Sequence, residues 1–180
     1  MRSRLQRLDR ELMRRAVRGR SPRLDSALVP LTRAASYSRV WLLIAGGLAS
    51  AGGKRARSAA GRGVVAIALA SALVNGPAKL LARRRRPSRS LVPPLIRAPR
   101  STSFPSGHSS AAFAFATAAC HELPLLAPAL VPLAGAVAYS RVYTGVHYPS
   151  DVAAGAAIGV VCGELAVRLP WPGEGDQPVR

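Results

Sequence analysis

The apolar positions of this chain change character near residue 36. Before it they are sparse and helix-periodic. Leu5, Leu8 and Leu12 recur at i, i+3 and i+7 among Arg4, Arg7, Arg14, Arg15 and Arg18. Glu11 stands four residues from both Arg7 and Arg15, a spacing that supports a helix. Such a basic amphipathic helix suits a membrane surface. Gly19 to Pro22 breaks it, and Leu24, Ala27, Leu28 and Leu31 form a second short stripe limited by Pro30. Nothing in this stretch is long enough to span a bilayer or has a signal-peptide core, so no cleavage is expected.

After residue 36 the apolar residues gather into five runs, roughly 37–53, 63–82, 106–121, 123–140 and 150–169. Each is near the minimum length of a spanning helix. The pattern predicts an all-α, polytopic transmembrane bundle of about five spans, with amphipathic surface helices over 1–36, a membrane domain over 37–170 and a polar tail over 171–180. Pro124 leaves only a short turn between the third and fourth runs, whereas residues 83–105, rich in Arg, Pro and Ser, predict an irregular connection. Gly155, Gly159 and Gly163 make a GxxxGxxxG face, where helix backbones approach closely. Oligomeric state is left open, a helix-packed dimer included.

Composition narrows the partners. The 180 residues hold 26 Lys+Arg against 8 Asp+Glu, a formal charge of +18, while 49% are hydrophobic. Aromatics are only 5%, too few for base-stacking platforms, and no zinc-finger or RNP-type pattern is present, so nucleic acid is not the expected partner. Three His and two Cys exclude a multi-cysteine zinc fold or disulfide scaffold. Cys120 and Cys162, in apolar runs, read as packed thiols. No carboxylate occurs between Asp25 and Glu122, and a long acid-free basic stretch suits phosphate or anionic lipid.

Three clusters at the ends of apolar runs carry the candidate chemistry. In Lys79 to Pro87, Lys79 and Arg86 are seven residues apart. On a helix they share a face, about 10.5 Å apart along the axis, and converge on one anion. Lys79 also lies inside the apolar run and needs a partner. Pro105-Ser106-Gly107-His108 opens the third run, where the first-turn N–H groups can hold phosphate oxygens. Ser106 adds a hydroxyl and His108 a titratable imidazole. The third cluster is Ser140-Arg141 with His147 and Asp151. Pro149 suits the first turn of the last helix, and an Asp151 carboxylate accepting from one His147 nitrogen leaves the other free to attack. Singly, each has an ordinary structural explanation: a topology signal, a plain helix start, a helix-capping Asp. Counting spans brings all three to one face, where they can form one pocket.

The pattern K-x6-RP, PSGH and SR-x5-H-x3-D resembles the type 2 phosphatidic acid phosphatase (PAP2) family, relatives of the vanadium haloperoxidases, with every signature position matched in order over about residues 75–155. The resemblance implies that Lys79, Arg86, Ser106, Gly107 and Arg141 bind phosphate, that His147 is the nucleophile, His108 the acid for the leaving group, and Asp151 the partner of His147. It implies a metal-independent, cofactor-free phosphatase acting on a lipid phosphate monoester or pyrophosphate, such as phosphatidic acid, phosphatidylglycerophosphate or a polyprenyl (pyro)phosphate, through a phosphohistidine. The expected partners are that lipid and the bilayer. The expected location is the plasma membrane, with an outward-facing site. The competing readings are a non-enzymatic basic membrane protein binding anionic lipid and a haloperoxidase-like vanadate binder. Family members commonly have six spans, and here surface helices take the place of the first.

Overall fold

The computed structural model describes residues 2–99 and 101–171. It is entirely helical among these residues: α1 Arg2–Arg18, α2 Pro22–Ala34, α3 Arg39–Ala51, α4 Lys54–Leu73, α5 Lys79–Ala82, α6 Gly107–Glu122, α7 Ala127–Tyr143 and α8 Pro149–Arg168. All but the first residue of the expected polar tail lies outside the described residues.

Helix α6 is the axis of the bundle, packed on α4, α7 and α8. Nine of its 16 residues are buried, mostly Ala. Small side chains let the neighbours come close. A Cβ on Gly155 would stand 2.4 Å from the Ser106 carbonyl oxygen, and one on Gly159 2.4 Å from that of Ser110. The glycine face of α8 is thus spent on α6. Gly63 of α4 does the same for the Phe115 ring, which also meets Trp41 at 5.6 Å between centroids. Burying such a ring contributes about 1.5–3 kcal/mol.

The sequence pattern predicts five spans; three helical stretches among the described residues have the length and hydropathy of one, Lys54–Ala82, Pro124–Tyr143 and Pro149–Arg168. Helix α3 has 13 residues and α6 has 16, giving about 20 and 24 Å against a hydrocarbon core of about 30 Å. Length sets both apart from the three longer stretches, and α6 is in addition enclosed by α4, α7 and α8. Cys162 is buried and Cys120 half-buried, both free thiols.

A second departure concerns the K-x6-RP segment. Helix α4 begins before the apolar run, continues through a π-type turn over Val74–Ala78 containing Pro77, and ends with α5. Proline lacks the N–H that an α-helical turn would use. Arg83 then takes a left-handed conformation at φ 42°, so Lys79 and Arg86 do not share a helix face as the spacing predicts. Residues 83–106 are irregular, as expected. Leu95 N–H donates to the Thr144 carbonyl (3.0 Å), which holds them against the bundle, and Ser103 N–H donates to the Arg84 carbonyl (2.8 Å), which closes the segment on itself. Helix α2 also runs four residues beyond Pro30.

At the far end, Arg62 of α4 pairs with Glu122 at 2.8 Å and donates to the Ala166 and Leu169 carbonyls, at 3.0 and 3.2 Å, where α8 ends. A cation there complements the helix dipole. The sequence reading gave Arg62 no role.

Candidate active site

One end of the bundle opens into a cavity of about 540 Å³. The linker after α2 (Ser36, Tyr37, Ser38), the α4–α5 kink (Ser71, Asn75, Lys79), the start of α6 (Gly107, His108) and the loops carrying Arg86, Ser101 and His147 all reach it. Five of the eight candidate residues therefore line one wall: Lys79, Arg86, Gly107, His108 and His147. Ser106, Arg141 and Asp151 lie one layer behind.

The kink turns Lys79 onto this wall, where its Nζ donates to Asn75 Oδ1 at 2.7 Å. Asn75 precedes Lys79 by four residues, a spacing legible in the sequence that the sequence reading passed over. Arg86 is fixed by backbone: it donates to the carbonyls of Ser101 (3.0 Å), Thr102 (3.2 Å) and Val146 (2.8 Å). Its Nη1 also stands 3.0 Å from His147 Nε2. A guanidinium can only donate, so Nε2 presents its lone pair and the Nδ1 side faces Asp151.

Asp151 Oδ2 is 3.6 Å from His147 Nδ1, an electrostatic contact beyond hydrogen-bond length. The carboxylate is held from other sides: Oδ2 accepts from the Ser103 hydroxyl and from Tyr148 N–H (2.8 Å), and Oδ1 from Arg84 at 2.7 Å. The capping role weighed for Asp151 is thus real and coexists with its facing His147. Pro149 opens α8 as expected.

Ser106 N-caps α6: its Oγ accepts from Ser109 N–H at 3.4 Å and from Ser109 Oγ at 3.0 Å. Its own N–H donates to the Asp151 carbonyl at 2.9 Å, which ties the starts of α6 and α8 together. Arg141 is 1% exposed; Nη1 donates to Thr32 Oγ1 at 2.6 Å, while its buried Nε has no hydrogen-bond partner. His108 Nε2 lies 3.5 Å from Ser36 Oγ.

The electrostatics suit an anion. Burial pushes His147 down to about 4, with the Arg86 and Arg141 cations adding to it and Asp151 opposing. Burial first, then Arg141, His147, Arg86 and Lys79, push His108 down to about 3. Both shifts favour the neutral imidazole. A phosphate dianion bound among these cations would oppose their push on His108 and favour its protonation. Among the described residues no group of three or more His, Cys, Asp and Glu side chains gathers as metal ligands would.

The sequence pattern assigns no role to Asp9, Thr32 or Ser103, and offers Arg84 only as one of three arginines, with Arg83 and Arg85, for a second phosphate or solvated charge. Asp9, Thr32, Arg84 and Ser103 each meet a partner across a long stretch of chain, and no local spacing signals them.

An all-α bundle with its Lys, Arg and His residues gathered at the ends of apolar helices defines a membrane enzyme of phosphoryl transfer. The PAP2 superfamily profile matches residues 60–173, and the chain belongs to that superfamily. Decaprenylphosphoryl-5-phosphoribose phosphatase of Mycobacterium tuberculosis is 35% identical over 127 residues, 69% of this chain and 68% of that protein. The fold is similar to that of LpxE from Aquifex aeolicus, with TM-score 0.75, 29% identity and coverage of 88% of this chain and 94% of that one. It is also similar to the transmembrane PAP2 type phosphatidylglycerolphosphate phosphatase from Bacillus subtilis, with TM-score 0.70, 25% identity and coverage of 90% and 84%. The protein is a multi-pass membrane enzyme, a PAP2-type lipid phosphate phosphatase.

Proposed function

We propose that this enzyme hydrolyses a phosphate monoester on the polar headgroup of a membrane lipid through a phosphohistidine on His147. The observation that carries the reading is the placement of a neutral His147, its Nε2 lone pair on the cavity wall beside Arg86 and its Nδ1 toward Asp151. As Arg86 shifts its N–H from Nε2 to the phosphoryl oxygens, the released Nε2 lone pair attacks phosphorus in line while the bond to the leaving oxygen breaks. Lys79 and Arg86 neutralise the phosphoryl oxygens, backed by the Arg141 guanidinium with its unpartnered Nε, and the Gly107 N–H in the first turn of α6, which Ser106 caps, adds a donor. Asp151 stabilises the imidazolium that forms. His108 gives its proton to the leaving oxygen. It then takes one from the water that attacks the phosphohistidine, which releases phosphate and restores His147. Guanidinium, ammonium and imidazole donors, with one carboxylate already engaged, form a set for binding an anion without a metal.

The lining supports a substrate class. Among the described residues the cavity's apolar lining is limited to Ala35, Pro99 and Ala111, with no Leu, Ile, Val, Met or Phe, whereas Ser36, Tyr37, Ser38, Ser71, Asn75 and Ser101 supply polar groups. A leaving group with free hydroxyls, a glycerol or sugar headgroup, fits this wall better than the fully acylated glycerol of phosphatidic acid or the polyprenyl phosphate that leaves from a polyprenyl pyrophosphate. The mycobacterial relative's name also describes a lipid-linked sugar phosphate. The enzyme resides in the plasma membrane with this end outward, and α1 and α2 lie on that surface.

Single-turnover phosphoryl-enzyme formation on a lipid phosphate and an aryl phosphate tests the mechanism. His147→Ala abolishes it on both substrates. His108→Ala loses roughly 10²–10⁴-fold on the lipid substrate and much less on the aryl one, whose oxygen leaves without a proton. A labelled phosphoryl-enzyme in His147→Ala would overturn the nucleophile, and equal His108→Ala losses on both substrates would overturn the acid.

A further inference from the structure

Helix α1 reaches the candidate site by one buried carboxylate. Asp9 is 2% exposed, between the exposed Leu5, Leu8 and Leu12 on one side and the buried Met13 on the other. Its Oδ1 accepts from Ser150 N–H at 2.9 Å, and its Oδ2 from Ser150 Oγ at 2.6 Å and Arg84 Nη2 at 2.7 Å. Ser150 is in the first turn of α8, so Asp9 supplies an anion to the N-terminus of a helix 141 residues away. The Nη1 of the same Arg84 donates to Asp151 Oδ1 at 2.7 Å and Ser150 Oγ at 2.7 Å, and its guanidinium stacks 4.2 Å from the Tyr148 ring centroid. One guanidinium thus spans two buried carboxylates. Asp9 and its helix lie outside the 60–173 segment that matches the superfamily profile.

We infer that Asp9 and Arg84 are positioning residues for His147, acting through Asp151. The inference rests on the proposed roles of His147 and Asp151. Its physical core is a charge count. Arg84 and Asp151 alone cancel, leaving no net negative charge to meet the imidazolium that forms as His147 takes the phosphoryl group. With Asp9 the trio carries −1, and that charge is available beside Nδ1. Arg84 meanwhile holds Oδ1, so Oδ2 stays turned toward His147. An ammonium cannot do this, because it lacks the planar fork that spans two carboxylates. The stabilisation applies when the imidazole becomes charged, in the transition state and intermediate, so its loss appears in kcat and not in KM.

The test measures kcat and KM of the full-length enzyme in detergent, with kcat normalised to folded sites by the phosphoryl-enzyme burst. Asp9→Asn keeps the shape and removes the charge. It should lower kcat roughly 10–100-fold, the scale of a misplaced catalytic group, and leave KM within about twofold. Asp9→Asn with Arg84→Gln removes both charges, restores −1 on Asp151, and should recover to within about fivefold of wild type. A purely structural role for Asp9 predicts the opposite, since the double variant loses more contacts. Arg84→Lys, which keeps the charge but loses the fork, should cost about fivefold, the same loss of fork that limits the double variant, and serves if Asp9→Asn does not fold. Wild-type kcat in Asp9→Asn or Arg84→Lys overturns the inference, as does a double variant no faster than Asp9→Asn. Wild-type kcat in Asp151→Asn would instead fail the proposed mechanism, so the two failures read differently.

Discussion

His147 owes its neutrality to burial, and that has a consequence for stability. An unfolded imidazole titrates near 6.5; burial first of all lowers His147 to about 4. Between those values the unfolded chain binds more protons than the folded one, so stability falls as pH drops from about 6.5 toward 4 and is level above. The substrate-free enzyme in uncharged detergent should therefore melt at progressively lower temperature across that window, and His147→Ala should flatten the decline. A slope identical in the two proteins would show that His147 is not held neutral by the fold. At this scale the sequence was informative about residue types and silent about partners. His108, His147 and Lys79 were legible because ionisable groups at the ends of apolar runs need a reason to be there. Arg84 is one of four consecutive arginines, yet it is the one drawn between Asp9 and Asp151. Nothing in its neighbours separates it from Arg83 or Arg85; only the return of α1 does, 75 residues away.

Helices were legible as elements wherever apolar spacing and a breaker agreed, as at Pro149 opening α8 or Pro124 ending the turn after α6. They misled where one signal had two causes. An Ala-rich apolar run means lipid contact or the inside of a bundle, and α6 is the second. The second run, 63–82, was expected to lead into one helix face holding Lys79 and Arg86, but the π-type turn at Pro77 and left-handed Arg83 bring them to one cavity by another route. The glycine face of α8 is where element packing and chemistry meet, and two substitutions one turn apart separate them. Gly155→Ala would drive a Cβ into the Ser106 carbonyl, and Gly159→Ala into that of Ser110, each at 2.4 Å. Overpacking of this kind costs about 1–3 kcal/mol, so both variants should melt earlier. Ser106 caps α6 and its N–H holds the Asp151 carbonyl; Gly155→Ala should therefore also lower burst-normalised kcat, while Gly159→Ala should leave it near wild type. Comparable losses in the two would mean the start of α6 tolerates displacement.

At the scale of the whole molecule, charge and family pull the orientation in opposite directions. The cavity is lined both by Ser36 to Ser38, just before α3, and by the ends of α5, α6 and the loop after α7, so the N-terminal helices share the site's face. Ten arginines precede residue 36, and the positive-inside rule places such a face in the cytoplasm. That rule counts charges free to interact with the membrane surface during insertion. Of the ten, Arg20 ends in fixed protein contacts, donating to the Tyr143 and Pro93 carbonyls, and further along the chain on the same face Arg84, Arg86 and Arg141 also make fixed contacts. Arg4, Arg7, Arg10, Arg14 and Arg18 are exposed on α1 and keep their weight, yet beside the exposed Leu5, Leu8 and Leu12 they suit anionic headgroups of either leaflet. The outward orientation is decided by labelling in intact cells, after Cys120 and Cys162 are replaced by Ala. A single cysteine at Ser26, exposed on α2, should react with a membrane-impermeant maleimide, and one at Arg55, exposed at the opposite end where α4 begins, should react only after lysis. The reverse pattern would put the site in the cytoplasm. Its substrate would then have to present its phosphate to the inner leaflet, before any transfer of the lipid across the membrane.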